Sequence, residues 1–228
     1  MKARVEKNHF KPLDAFRRLG LSGNPFAQRD PWSLVPLLAP APALVELAAQ
    51  PWRALSIYGP MGSGKTTAAL QVASLLGEQE NTRVWRVPEG MIRWPDLDTP
   101  VLVVDEVQRL GAARVERLMT RARCERLILV GLVDGLAGTR WHERVYSPSP
   151  MTAAEAQVWA GSMIQAVAVA PNPPRLNDAD AESLVRAAEG NRLRATELGY
   201  AYFEWLVTLP EAAEQTFTGF LRTLPTRP

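Results

Sequence analysis

Two short segments carry residue types and spacings that can do chemistry. Gly59-Pro60-Met61-Gly62-Ser63-Gly64-Lys65-Thr66 fits the pattern G-x-x-x-x-G-K-[ST] in full. Glycines let the backbone wrap close to phosphate oxygens with several N–H groups pointing inward. A helix starting there adds the partial positive charge of its N-terminus. In such a loop Lys65 reaches the β- and γ-phosphates and Thr66 ligates magnesium. Thr67 follows in the first helical turn and completes the candidate nucleotide-binding set. The second segment is Val101-Leu102-Val103-Val104-Asp105-Glu106, an apolar run ending in two carboxylates. Asp105, at the strand end, is placed to hold the magnesium through water beside Thr66. Glu106 is then placed to orient and deprotonate an attacking water.

The flanks decide whether the glycine-rich segment is a phosphate site or a chance turn. Ala54-Leu55-Ser56-Ile57-Tyr58 leads in as a strand. Residues 67–76 lead out as a helix that Gly77 can stop. Further strands are expected near 84–87, 101–104, 127–131 and 143–147, with helices near 65–76 and 112–122. Apolar strands alternating with helices predict an α/β fold with a parallel five-stranded sheet covered on both faces. Together with the glycine-rich motif it resembles a P-loop NTPase. The link from the second to the third strand holds Trp94-Pro95 and is too short for a full crossover helix, so an irregular loop is expected.

Outside this core the sequence divides at proline-rich stretches. Residues 1–50 read as a basic arm and a proline-rich segment, with a short helix near 12–19 ending at Gly20. Gly23-Asn24-Pro25-Phe26 is a turn with an aromatic anchor, and Ala43 to Gln50 fit a short helix. Residues 51–148 form the nucleotide core, and Pro148-Ser149-Pro150 is a hinge. Residues 149–228 read as a small all-helical lid, with helices near 152–169, 178–189, 193–208 and 211–222. Thr152 with Glu155 has the capping-box signature, and Asn177 or Asp178 can cap the next helix.

Composition limits the alternatives. The 228 residues are 46% hydrophobic and 22% charged, ordinary for a globular protein with a real core. The net charge is only +2, so nucleic-acid affinity would need local basic patches. Two exist: residues 1–20, and residues 109–126 with six arginines against Glu116 and Glu125. The single cysteine, Cys124, excludes an internal disulfide, and no Cys/His cluster suits zinc. His9 and His142 have no evident ligand partners. The absence of a signal core or an 18-residue apolar run leads us to expect a cytoplasmic protein with no membrane partner. Trp85, Trp94, Trp141, Trp159 and Trp205 read as packing residues rather than base-stacking platforms.

The phosphate loop, the Asp105-Glu106 strand end and the helical lid together resemble an AAA+ ATPase. Leu19-Gly20-Leu21-Ser22-Gly23-Asn24-Pro25-Phe26, Val104-Asp105-Glu106-Val107-Gln108-Arg109-Leu110 and Leu127-Ile128-Leu129-Val130-Gly131 narrow the likeness. They resemble ATPases of the ExeA type and the transposition ATPases of the TniB/TnsC/MuB kind, over about residues 16–208. The resemblance implies ATP and Mg2+ as ligands, assembly into a homo-oligomeric ring or filament, and an arginine finger acting on a neighbour. Gly135 to Val145 looks like the family's finger segment, which makes Arg140 and Arg144 the candidates. Glu189-Gly190-Asn191-Arg192-Leu193-Arg194-Ala195 resembles the segment that senses phosphate from the lid. Its register selects Arg194, with Arg192 as the alternative. The family's polar residue at the end of the fourth strand is replaced by Leu132, which implies slow or partner-dependent hydrolysis.

Arg114, Arg117 and Arg121 share one helix face. They read either as a solvated surface or as contacts to DNA phosphates that neutralise charge without reading sequence. The leading functional expectation is an ATP-dependent oligomer, associated with double-stranded DNA, that regulates a partner protein such as a transposase. The alternatives are an assembly factor for a secretion or pilus apparatus and a nucleotide-gated scaffold that hardly turns over.

Overall fold

In the computed structural model the described residues are 12–90, 94, 97–134, 136–137, 144–209 and 215–224. In chain order the elements are α1 (Pro12–Arg18), α2 (Pro31–Leu34), α3 (Pro42–Ala49), β1 (Ala54–Tyr58), α4 (Lys65–Leu75), β2 (Thr82–Arg86) and β3 (Val101–Asp105). There follow α5 (Ala112–Arg121), β4 (Arg126–Gly131), β5 (Arg144–Tyr146), α6 (Ala153–Gln165), α7 (Asp178–Ala188), α8 (Arg192–Leu206) and α9 (Phe217–Leu221). The contacts divide the chain into two units. One holds residues 29–150 with 191–193; the other holds residues 12–28, 151–190 and the chain from Arg194 onward.

The first unit is a five-stranded parallel sheet in the order β2-β3-β4-β1-β5. The period-2 alternation of its strands sorts the apolar side chains onto two faces. Leu102, Val104, Leu127 and Leu129 face one core, closed by Val115, Leu118 and Met119 of α5. Leu55, Ile57, Val103, Ile128 and Val130 face the other, closed by Ala68, Ala69, Val72 and Ala73 of α4. The three inner strands are almost wholly buried, whereas β2 and β5 are edges with exposed residues. That burial explains why β1, β3 and β4 read as unbroken apolar runs. As expected, the described residues between β2 and β3 form no helix.

The second unit is helical. Thr152 Oγ1 accepts from the Glu155 N–H at 3.3 Å, and Glu155 Oε2 accepts from the Thr152 N–H at 2.8 Å, completing the capping box of α6. Asn177, rather than Asp178, caps α7, accepting from the Asp180 N–H at 2.8 Å. The buried Asp180 carboxylate then accepts from the Phe217 N–H at 2.8 Å and ties the start of α9 to α7. The aromatic anchor Phe26 lies 5.0 Å from the Trp159 ring and 5.6 Å from Phe203. Gly199 of α8 makes room for it: a Cβ there would come within 2.9 Å of the Phe26 ring.

Several boundaries differ from the sequence reading, among them β2, which starts at Thr82, and α9, which starts at Phe217; two of the differences have identifiable reasons. Helix α6 ends at Gln165 instead of 169, because the next residues hydrogen-bond elsewhere. Ser22 N–H donates to Val167 O, and Val169 N–H donates to Gly20 O, both at 2.8 Å, around an antiparallel Leu21–Ala168 bridge. That bridge, with the burial of Phe16, Leu21 and Phe26, places residues 12–28 in the helical unit, so the segment read as 1–50 divides at Gln28. Among the described residues no single helix is long and apolar enough to cross a membrane.

Candidate functional site

The C-terminal ends of β1 and β3 carry the two segments singled out in the sequence. After Tyr58 the chain turns through Gly59, Gly62 and Gly64, at φ +152°, +79° and +91°. Side chains with a Cβ rarely adopt these angles, so glycine is required to form the loop. Helix α4 then starts at Lys65, and no side chain caps its N-terminus. The first N–H groups of an uncapped helix are the donors an anion would use.

The loop's carbonyl oxygens are engaged by the protein. Pro60 O accepts from Lys65 Nζ at 2.7 Å and Met61 O accepts from Asn191 Nδ2 at 2.7 Å. Gly62 O accepts from the Arg192 N–H at 2.9 Å, and Ser63 O from the Arg192 guanidinium at 3.0 Å. Asn191 and Arg192 cover Gly62 and Gly64 so closely that a Cβ at either position would collide with them. Ser63 Oγ is buried with no hydrogen-bond partner among the described residues. Partial burial holds the Lys65 ammonium below the usual lysine value, against the opposing pull of the Asp105 and Glu106 charges.

Thr66 and Asp105 meet across the site, Thr66 Oγ1 donating to Asp105 Oδ2 at 3.3 Å. Asp105 is nearly buried, and its Oδ1 accepts from the Glu106 N–H at 2.9 Å. The pair offers only oxygen donors, which suits Mg2+, a hard cation that takes one or two protein ligands and fills its shell with water and phosphate oxygens. These residues therefore fit the metal expected from the sequence.

Glu106 has a different environment. Its backbone sits at φ +62°, a left-handed conformation uncommon for a residue with a Cβ. Its Oε1 lies 3.5 Å from the Arg86 guanidinium and its Oε2 lies 3.4 Å from that of Arg109. Gln108 Nε2 donates to Oε2 at 2.7 Å, while Gln108 Oε1 accepts from the Leu132 N–H at 3.2 Å. Leu132 is 52% exposed, and its side chain supplies no polar group at the end of β4. The acidic motif is a local sequence signal, whereas nothing local marks Arg86 and Gln108 as partners of Glu106. Arg86 arrives through the β2–β3 register, which sets it opposite Asp105.

The arginine expectations divide. Arg192 reaches the phosphate loop and also Ser149 O at 2.8 Å, whereas Arg194 pairs with Glu189 at 2.8 Å. Arg144 lies exposed on edge strand β5, in register with Leu55 of β1. Arg140 lies outside the described residues, as do Trp141, His9 and His142. Arg114, Arg117 and Arg121 are all exposed on α5, opposite buried Val115, Leu118 and Met119. Trp85 packs on Trp94, Trp159 on Phe26, and Trp205 on Tyr202 and Phe220, so these four rings are packing residues. Cys124 is buried, which pushes its thiol up.

The architecture is that of AAA+ P-loop NTPase domains. The RuvB Holliday junction branch migration motor of Thermotoga maritima matches at a TM-score of 0.53 and 21% identity, over 79% of this chain. This chain spans only 63% of that RuvB chain. The Orc1 protein of Aeropyrum pernix, solved in complex with DNA, matches at 0.55 and 19% identity, over 87% of this chain and 73% of its own. Domain III of the Thermotoga maritima replication initiation protein DnaA matches at 0.55 and 14% identity, over 86% of this chain and 97% of its own. No protein-family profile matches the sequence, and no curated protein does.

Proposed function

We propose that this chain is a magnesium-dependent ATPase that oligomerises with ATP and acts as a DNA-associated regulator of a partner protein. The observation that carries the reading is the meeting of Thr66 and Asp105 at 3.3 Å beside a glycine-built loop and an uncapped helix. In this reading the loop from Gly59 to Thr67 binds the phosphates through backbone N–H groups, and Lys65 leaves Pro60 O to meet them. When bound, Mg2+ neutralises charge building on the phosphates. Thr66 and Asp105 would hold it. Glu106 takes the proton of the attacking water at its carboxylate. Arg192, already at the loop, and Arg194, the choice of the sequence register, are the two candidates for sensing phosphate. Arg140 and Arg144 are the candidates for a finger supplied to a neighbouring subunit.

DNA association rests on the exposed arginine face of α5, and finds further support in the DNA-bound Orc1 that shares the fold. A transposase is the partner that the TniB/TnsC/MuB-like segments suggest. One observation favours a second reading, a nucleotide-gated scaffold with slow turnover: Glu106 is engaged by Arg86, Arg109 and Gln108, and Leu132 offers no polar side chain. The test is duplex-DNA binding and oligomer size, measured over a salt series with and without ATP. The proposal expects ATP to enlarge the oligomer and tighten DNA binding, with affinity falling as salt rises. No oligomer and no ATP-dependent DNA binding would remove it. Brisk phosphate release by the protein alone would remove the scaffold reading.

A further inference from the structure

The end of β4 lacks a polar side chain where the family resemblance expects one, yet the site is not without a polar group there. Gln108 sits in the 3-10 turn Val107–Arg109 directly after the acidic strand end. Its amide spans two strands: Oε1 accepts from the Leu132 N–H at 3.2 Å and Nε2 donates to Glu106 Oε2 at 2.7 Å. The amide's orientation follows from chemistry, because a backbone N–H can face only the oxygen end. The nitrogen end is thereby fixed toward the carboxylate. Gly131 is part of the arrangement, since a Cβ there would come within 2.8 Å of Gln108 Oε1.

We infer that Gln108 is a positioning residue for Glu106, taking over from its neighbouring turn the polar role that Leu132 cannot fill at the end of β4. This rests on the proposed reading of Glu106 as the base for ATP hydrolysis. The contact at 2.7 Å is shorter than either guanidinium contact to the same carboxylate, at 3.4 and 3.5 Å. It holds Oε2 from the protein side, and water would take the place of the longer guanidinium contacts at the same carboxylate. The amide has two hydrogens; one goes to Glu106, and the other can be donated to a water oxygen beside the carboxylate. Anchoring through the Leu132 backbone makes the arrangement independent of the leucine side chain.

The test uses the full chain and four variants, Gln108→Leu, Gln108→Glu, Glu106→Gln and the double Gln108→Leu/Glu106→Gln. ATP affinity, turnover and melting temperature are measured on each. Gln108→Leu removes both bonds, whereas Gln108→Glu keeps an acceptor for Leu132 and loses the donor to Glu106. Misplacing a reacting group by about 1 Å costs on the order of a hundredfold. We expect both Gln108 variants to lose roughly ten- to a hundredfold in kcat, with ATP affinity within about threefold of wild type. In the Glu106→Gln background the Gln108→Leu change should cost nothing further, because residues acting through one group are non-additive. Wild-type turnover in Gln108→Glu overturns the inference, as does a further full loss in the double variant or a loss of ATP affinity matching the loss of kcat. If the unsubstituted protein binds ATP and releases no phosphate even with DNA present, the hydrolysis reading itself falls and this inference with it.

Discussion

The two carboxylates at the end of β3 are chain neighbours in unlike settings. Asp105 is nearly buried, meets Thr66, and receives the next N–H along the chain. Glu106 is 26% exposed and in contact with two guanidinium groups and an amide. The first faces the phosphate loop and is arranged before any ligand arrives. In the proposed mechanism the second would have to exchange partners before accepting a proton from water. On that proposal, binding and hydrolysis draw on two regions of one site with different degrees of preorganisation, and they should respond separately to substitution.

The largest effect is expected at the phosphate loop. Lys65→Ala removes the cation proposed to meet the phosphates and should weaken ATP binding by on the order of a hundredfold, near the upper end of the roughly 1.5–3 kcal/mol typical of hydrogen bonds to charged groups. Equilibrium titration with ATP would show it, and near-normal binding would break the binding half of the comparison. Next is metal removal: chelation should abolish turnover while ATP binding persists more weakly, because Thr66 and Asp105 lose the ion they would share. Turnover in excess chelator would contradict that assignment. Replacing Arg114, Arg117 and Arg121 together by alanine tests whether the site's output reaches DNA. Each lost phosphate contact should reduce the slope of log affinity against log salt by about 0.9, so the triple variant should lose about 3. An unchanged slope would return α5 to being an ordinary solvated face. The smallest effect is expected at Arg86. Its side chain is 71% exposed, and such pairs contribute roughly 0.2–1 kcal/mol, so Arg86→Ala should raise turnover by less than about fivefold. A large fall instead would mean that Arg86 assists Glu106 rather than restraining it.

The difference between the two regions also marks what was legible in the sequence. The loop from Gly59 to Thr66 and the run from Val101 to Glu106 are local signals, with glycines where φ is positive and unbroken apolar residues where a strand is buried on both faces. Those segments pointed to the parallel sheet and the Thr66–Asp105 pair. The environment of Glu106 is non-local. Arg86 reaches it only because β2 pairs with β3 in one register, and Gln108 meets Leu132 only because β4 lies beside β3. Phe26 is a similar case: its turn was readable, but its partners Trp159 and Phe203 lie more than a hundred residues away. A glycine at 199 inside a predicted helix was the available hint of a close approach.

The most direct measurement takes one sample of Glu106→Gln and determines both ATP bound per chain and phosphate released. The account predicts ATP binding like that of the wild type with release below about 1% of the wild-type rate, within the 10²–10⁴-fold contribution typical of a general base. Release at the wild-type rate, or loss of binding along with release, would contradict the separation of the two carboxylates on which the account depends.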